Sequence, residues 1–167
     1  MTHFIHTFIN SFPLFFDGLI LTIFLTICSL LFSLPLGLLV TFLRLSKYKF
    51  IKYFCIGYIY FIRGTPLIVQ IFILYFGLTH IVKLNAFIAS SMALAVHNSA
   101  YLSEIFRAAI LSIGKGQKEA SLSLGMTPFK MYQRIILPQA LKRSLPGLGN
   151  QFIITLKDSS LAAFISM

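Results

Sequence analysis

The sequence predicts an all-α, polytopic membrane protein, and two features of its composition carry that prediction. Of its 167 residues, 57% are hydrophobic and only 11% are charged, and the mean hydropathy is +0.88. Soluble domains have about 25% charged residues, so this chain lies outside their range. Its apolar runs are also long enough to cross a bilayer, which takes about 20 helical residues. We therefore expect a transmembrane helical bundle within a single domain, residues 1–167.

The basic residues predict the orientation of the bundle. The formal net charge is +10, but the basic residues do not cluster on a solvated nucleic-acid-binding module, so nucleic acid is not an expected partner. By the positive-inside rule, the loops that carry them lie in the cytoplasm. Eleven of the fourteen Lys and Arg residues lie in or beside two loops, namely Arg44, Lys47, Lys49 and Lys52, and Arg107, Lys115, Lys118, Lys130, Arg134, Lys142 and Arg143.

The first apolar segment runs from about Leu14 to Leu43 and exceeds the length that a span requires. Pro35 and Gly37 predict a kink, since proline frees a carbonyl one turn back and glycine tolerates the bend. No Lys or Arg precedes the segment, which argues against a cleaved signal peptide. A basic loop, residues 44–52, follows on the cytoplasmic side, so we expect an external N-terminus.

The second apolar segment, Tyr53 to Val82, contains an arginine, Arg63, directly before Gly64, Thr65 and Pro66. An arginine in the hydrocarbon is costly and normally faces the bundle interior or a water-filled cavity. Glycine and proline should break the helix here and free backbone groups that a polar ligand can use. The alternative is that Arg63 extends toward the membrane surface and that Pro66 only bends the helix.

The third segment, Ala86 to Ile110, has a polar interruption. His97, Tyr101 and Glu104 share one helix face there, and Arg107 lies one turn beyond Glu104. Two interpretations of the carboxylate stay open: it forms an ion pair with Arg107 near the cytoplasmic surface, or it contacts a ligand. His97 is more often a hydrogen-bonded packing residue than a ligand.

A polar and basic stretch, about residues 112–143, separates the third and fourth segments. Loops of this length are usually functional or disordered, and this one carries helix signals. Gln117 to Leu124 is predicted to form a short helix, with Glu119 in its first turn and Gly125 in the glycine position that ends it.

A second helix is predicted to begin directly after this glycine. Thr127 is a candidate N-cap, and Pro128 suits the first helical position, where its missing N–H costs nothing. Pro138 is expected to close the helix. The fourth apolar segment would then begin at about Leu145.

The fourth segment, Leu145 to Met167, carries Lys157 and Asp158 about a dozen residues from its start. At about 1.5 Å per residue, these charges lie close to the middle of the membrane. Two adjacent opposite charges at that depth cannot both face lipid. Either Asp158 binds a polar ligand, or it forms a structural ion pair with Arg63 or Lys157.

The sequence carries no pattern typical of an enzyme or a metal site. The motifs H-E-x-x-H, G-x-S-x-G and Walker A do not occur, so no catalytic residue is expected and any ATP must bind to another subunit. Cys28 and Cys55 lie in apolar segments without metal-type spacing. We interpret them as small buried apolar residues and expect no metal or cofactor.

Four runs of the chain resemble, in the expected order, the permease subunits of bacterial ABC importers for polar amino acids. They are RGTPLIVQ at residues 63–70, AYLSEIFRAAI at 100–110, the glycine-containing stretch at 116–140 and KDSSL at 157–161. The third run is similar to the EAA loop of that family, with Ser121 in place of its second alanine. A chance match in an ordinary connector is the alternative for this run alone.

The resemblance implies an ATP-driven permease that works by alternating access and is coupled to a separate ATPase through the EAA loop. It implies a location in the bacterial inner membrane. The implied partners are an ABC ATP-binding subunit, a second permease chain in a homo- or heterodimer, an external solute-binding protein, an amino acid and membrane lipid. The residues assigned to ATPase coupling are Gly116, Glu119, Ala120, Ser121, Gly125, Leu137 and Pro138, and those assigned to substrate binding are Thr65, Leu67, Gln70, Glu104, Lys157, Asp158 and Ser159.

Members of that family generally continue beyond the position of Met167, through one more helix. We therefore expect about four spans here, with a fifth absent. The chain would then be a fragment or a truncated gene product. The alternative function is a non-transporting remnant or an assembly subunit of such a complex.

Overall fold

The computed structural model describes residues 2–165, and within that range the chain forms helices and short connections, with no strand. The all-α prediction is confirmed. The elements are α1 (Thr2–Arg44), α2 (Lys49–Gly64), α3 (Leu67–Phe72) with a π-helical turn (Ile73–Gly77), α4 (Ala86–Leu111), α5 (Lys115–Ser123), α6 (Pro128–Met131) with a π-helical turn (Tyr132–Ile136), α7 (Leu137–Asp158) and a 3₁₀ helix (Ser159–Ile165).

Helix α4 lies at the centre of the bundle and contacts α1, α2, α3 and α7. Fifteen of its 26 residues are buried, and nine of those fifteen are alanine or serine. Small side chains let neighbouring helices approach closely, which is how helices associate where no water drives them together. The polar interruption seen in the sequence is therefore part of the interior of the bundle.

Helices α1 and α4 approach each other closely at Gly37. A Cβ atom at this position would lie 2.8 Å from the Cβ of Leu102 and 3.2 Å from the carbonyl oxygen of Ser99. One turn further, the hydroxyl of Thr41 donates a hydrogen bond of 3.1 Å to the carbonyl of Ser103. Helix α1 is continuous through Pro35 and Gly37, and the kink predicted there stays a prediction. The contacts show that Gly37 also serves helix packing.

Gly37→Ala is expected to lower the stability of the bundle by about 1–3 kcal/mol, because the new methyl group overlaps atoms that move only if the helices separate. Gly57→Ala in α2 is the matched control, since no atom lies within 4 Å of its Cβ position. Unfolding of both variants by sodium dodecyl sulfate in mixed micelles, followed by circular dichroism, measures the difference. Equal midpoints for the two variants would contradict the packing role.

The second apolar segment, predicted as one span, consists of two helices. Helix α2 and the α3 helix with its π turn are bent by 100° at residues 65–66. The predicted helix break is therefore confirmed.

By length and hydropathy, one helix, Ser11–Arg44, is able to span a membrane, and the bent pair α2–α3 counts as a second if it is a broken span. Residues of α1 such as Phe15 and Phe32 expose most of their apolar side chains, as a lipid-facing helix does. Helices α4 and α7 are not apolar enough to meet the same criterion of length and hydropathy, because both place polar side chains inside the bundle. The number of four spans stays a prediction.

Candidate functional site

The break between α2 and α3 is held together by the side chain of Gln70. Pro66 has no N–H, so the carbonyl of Ile62 lacks its usual donor one turn later. The Nε2 atom of Gln70 donates to this carbonyl at 2.9 Å and to the Thr65 hydroxyl oxygen at 2.8 Å. The Thr65 hydroxyl in turn donates to the carbonyl of Phe61 at 3.0 Å. Two residues assigned to substrate binding therefore stabilise the helix break.

The same amide group connects the break to α4. The Oε1 atom of Gln70 lies 3.3 Å from Nδ1 of His97, and the His97 ring packs on Tyr101 with centroids 5.2 Å apart. The guanidinium carbon of Arg63 lies 4.8 Å from the centroid of Tyr101, which is a cation–π contact. The predicted helix face thus brings His97 and Tyr101 to the break, and Arg63 packs against α4.

A change of helix type lies at the end of α7. The α-helix ends at Asp158, and the chain continues as a 3₁₀ helix from Ser159. Asp158 is half-buried, and the 3₁₀ helix that follows it contacts α3 and α4. The buried hydroxyl of Ser159 donates to the carbonyl of Leu156 at 2.8 Å, while Lys157 is exposed.

The alternative structural ion pair of Asp158 is not formed. In residues 11–165, whose side chains the structure describes, the ion pairs involve Glu104 alone among the acidic residues. Neither Arg63 nor Lys157 is within ion-pair distance of Asp158. The carboxylate is therefore free of a cationic protein partner in this part of the chain.

Glu104 belongs to a separate cluster at the other end of α4. Its carboxylate accepts hydrogen bonds from Arg44 of α1 and from Nε of Arg107, the latter at 3.0 Å. The predicted pair with Arg107 is present. The partner Arg44 was missed, because it is 60 residues away in the chain. Both arginines bind the Glu104 carboxylate, and the bond from Arg44 links α1 to α4.

Leu67, also assigned to substrate binding, is buried at the start of α3. It packs with Ile71, Ala93 and Leu94 in the main apolar cluster. This position makes it part of the apolar wall directly after the helix break.

Two buried polar residues near the centre were not singled out from the sequence. Nε2 of Gln151 in α7 donates to Oδ1 of Asn98 in α4 at 2.8 Å, and both side chains are almost fully buried. The sequence did contain a signal for this contact, because a buried side-chain amide in an apolar helix requires a polar partner. Its partner lies 53 residues away, so the sequence alone did not identify the pair.

The first helix of the polar stretch, α5, begins earlier than predicted. It starts at Lys115, so Glu119 lies in its second turn, and the first-turn assignment is wrong. The predicted terminating glycine is confirmed: Gly125 has a φ of +73°. The N–H groups of Gly125 and Met126 bond back to the carbonyls of Leu122 and Ser121, the double pattern that closes a helix with a left-handed glycine.

The second helix begins as predicted, with Thr127 as its N-cap and Pro128 in its first turn. The expectation that Pro138 ends it is wrong, because the helix continues into α7. The π-helical turn just before this proline explains the difference. The N–H of Leu137 bonds to the carbonyl of Tyr132, five residues back, and the wider turn accommodates a proline ring that an ordinary helix would exclude. The predicted loop, residues 112–143, is thus largely helical.

The residues assigned to ATPase coupling lie mostly on the surface. Gly116, Glu119, Ala120, Gly125 and Pro138 are exposed, Leu137 is half-buried, and Ser121 is buried with its hydroxyl donating to the carbonyl of Gln117 at 2.6 Å. Large apolar side chains beside them are also exposed, 82% for Leu124 and 75% for Phe129. Such side chains at the tip of a polar segment mark a contact surface.

Comparisons with known proteins agree with this arrangement. Residues 33–166 match the family described as "Binding-protein-dependent transport system inner membrane component". The probable amino-acid permease protein YxeN of Bacillus subtilis is 42% identical over 92% of this chain and 70% of its own length. The L-cystine transport system permease protein TcyB of the same organism is 43% identical over 92% of this chain and 66% of its own length.

The fold has a counterpart among solved structures. The crystal structure of an amino acid ABC transporter with histidines superposes with a TM-score of 0.90 at 41% identity, covering 96% of this chain and 76% of that one. The chain spans about two thirds of the length of the curated relatives it matches.

These relatives are permease subunits of ABC transporters and not enzymes, which confirms the resemblance seen in the four sequence runs. The expected inner-membrane location is also confirmed by the family match. The chain belongs to the family of inner-membrane components of binding-protein-dependent transport systems.

Proposed function

We propose that this chain is a permease subunit of an ATP-driven importer for polar amino acids, and that the amino acid binds between the helix break at Pro66 and the start of the 3₁₀ helix at Ser159. The observation that carries the proposal is the junction at His97, where Gln70 from the helix break bonds to His97 of α4 and the 3₁₀ helix after Asp158 contacts both α3 and α4. Transporter substrates typically bind at such breaks, near the middle of the membrane.

The chemistry of this junction suits a zwitterion. Asp158, which has no described ion-pair partner, accepts the α-ammonium group or a cationic side chain. Thr65, Gln70 and Ser159 supply hydrogen bonds after they release part of their present bonds within the chain, and Leu67 forms an apolar wall. Lys157 is a secondary candidate for the carboxylate. Glu104 is the weakest candidate, because its carboxylate already accepts hydrogen bonds from two arginines.

The names of the relatives support an amino acid as substrate. TcyB is named for L-cystine transport, and the solved transporter was crystallised with histidines. These two molecules differ in their side chains but share the α-ammonium and α-carboxylate groups. We therefore assign the predicted contacts at the junction to the part of the substrate that all amino acids have.

We assign coupling to the surface formed by α5, Gly125 and the start of α6. It carries the exposed Glu119 and Ala120 together with the apolar Leu124 and Phe129, which suits insertion into a cleft of an ATPase. The second permease chain and the external solute-binding protein complete the proposed importer.

Reconstitution tests this function directly. The permease, assembled with its ATPase and solute-binding protein in proteoliposomes, is expected to accumulate at least one polar amino acid from a labelled panel, and only when ATP is present on the ATPase side. A complex that assembles and hydrolyses ATP but takes up none of the common amino acids would support the non-transporting alternative instead.

A further inference from the structure

The short connection from α4 to α5 is held by a side chain of α7. Helix α4 ends at Leu111, Ser112 is its C-cap, and Gly114 is the N-cap of α5. Nη1 of Arg143, near the start of α7, donates to the Ser112 carbonyl at 2.6 Å and to the Ser112 hydroxyl oxygen at 3.0 Å. The last carbonyls of a helix lack donors within the helix, and a cation beside them offsets the helix dipole. Arg143 therefore caps α4 where the chain leaves for α5.

The residue between the two caps is anchored on its apolar side. Ile113 is buried and belongs to an apolar cluster that also contains Ile110 of α4, Met131 of α6 and Ala140 of α7. Arg143 follows Ala140 by about one turn, on the polar side of the same junction. The direction in which α5 leaves α4 therefore depends on this cluster and on the bond from Arg143.

The same face of α7 continues toward the candidate substrate site. Gly147, one turn after Arg143, approaches α4 so closely that a Cβ atom would lie 2.9 Å from Cγ2 of Ile105. One turn further, Gln151 donates to Asn98 at 2.8 Å. Positions 143, 147 and 151 repeat every four residues and so share one helix face. Contacts along this face hold α7 against α4 from the start of α5 to the middle of the bundle.

The bond to Ser112 is the described contact of the Arg143 side chain. The ion pairs within residues 11–165 involve Glu104 with Arg44 and Arg107, so Arg143 forms none in that range. Its neighbour Lys142 is equally exposed and also forms no ion pair there. The two residues carry the same charge, and Arg143 is the one that bonds to the end of α4. This pair allows charge and position to be separated.

We propose that Arg143 is a positioning residue for coupling. Its bond to Ser112 holds α5 in a fixed orientation relative to α4 and α7, so a displacement of α5 by the ATPase moves both helices. Without the bond, the connection at residues 112–114 bends and absorbs the displacement. The inference rests on the proposed function, in which α5 contacts an ATPase. It concerns how that contact reaches the bundle, and not the contact itself.

Hydrogen exchange of the full chain in detergent tests the positioning role without transport. Arg143→Met keeps a long side chain but removes the donors. We expect the amides of residues 109–117 to exchange about 5- to 10-fold faster, the effect of losing one or two partly exposed hydrogen bonds from a charged group. The matched control Lys142→Met removes the same charge one residue earlier and should leave the exchange unchanged. Unchanged exchange in Arg143→Met, or equal acceleration in both variants, would overturn the proposal.

The assembled complex in proteoliposomes tests the consequence for transport. Arg143→Met should bind the ATPase normally, while the number of amino acid molecules taken up per ATP hydrolysed falls by a similar factor. Arg143→Lys keeps a cationic donor for the Ser112 carbonyl and should restore most of this ratio. A wild-type ratio in Arg143→Met would contradict the positioning role. So would a loss of ATPase binding in that variant, because the side chain would then contact the partner directly.

The failure of the proposed function gives a different result. A wild-type complex that assembles but takes up no amino acid would contradict the proposed importer. In that case the hydrogen exchange of residues 109–117 still decides whether Arg143 holds the connection between α4 and α5.

Discussion

Gly125→Asp is expected to abolish ATP-driven uptake while the chain still inserts into the membrane. Gly125 has a left-handed backbone with a φ of +73°, and no atom of the chain lies within 4 Å of its Cβ position. The cost within the chain is therefore limited to backbone strain, about 1–2 kcal/mol, and aspartate is one of the residues that tolerate this conformation. We therefore expect a larger functional loss to come from the surface that we assign to ATPase coupling.

Two further variants show whether the loss of uptake in Gly125→Asp comes from the size of the new side chain, from its charge or from its position. Gly125→Asn adds a side chain of the same shape without the charge, so it distinguishes steric overlap from electrostatic repulsion. Gly114→Asp adds the same charge at the N-cap of α5, also with no atom within 4 Å, where aspartate is favourable. Uptake and substrate-stimulated ATP hydrolysis are the measurements. Normal stimulation in the Gly125→Asp complex would rule out coupling through this surface.

The features that could be predicted from the sequence are those that depend on a few neighbouring residues. The positive φ of Gly125, the N-cap at Thr127 and the break at Pro66 each follow from the backbone chemistry of one or two residue types. The family resemblance has the same basis, since it rests on short runs such as KDSSL. Both candidate sites were assigned from these signals, and their roles stay predictions.

The features that could not be predicted depend on distant or compensating contacts. Two hydrogen bonds join residues more than 50 positions apart, namely Arg44 with Glu104 and Gln151 with Asn98. No local sequence pattern predicts such a pairing. The error at Pro138 has another cause. A proline normally ends or kinks a helix, and its accommodation depends on the π turn before it, which the sequence alone did not indicate.

Asp158→Asn is expected to weaken amino acid binding by about 10- to 150-fold, the loss of one charge-assisted hydrogen bond of about 1.5–3 kcal/mol. The amount of assembled complex should stay unchanged. The reason is that no described cation pairs with this carboxylate, so neutralising it leaves no buried charge without a partner. Equilibrium binding of a labelled amino acid to the purified complex gives the affinity, and size-exclusion chromatography gives the assembly.

The matched control is Glu104, the carboxylate of α4 that is paired with two arginines, and it should behave in the opposite way. Glu104→Gln leaves Arg44 and Arg107 facing a neutral amide, so it should lower the thermal stability of the complex and change the affinity little. The two variants make the same chemical change at two sites. Unchanged affinity in a well-assembled Asp158→Asn complex would exclude Asp158 as a ligand, and reduced assembly in that variant would show that the carboxylate has a structural partner. Weaker binding in Glu104→Gln at normal stability would instead move the substrate toward the arginine cluster.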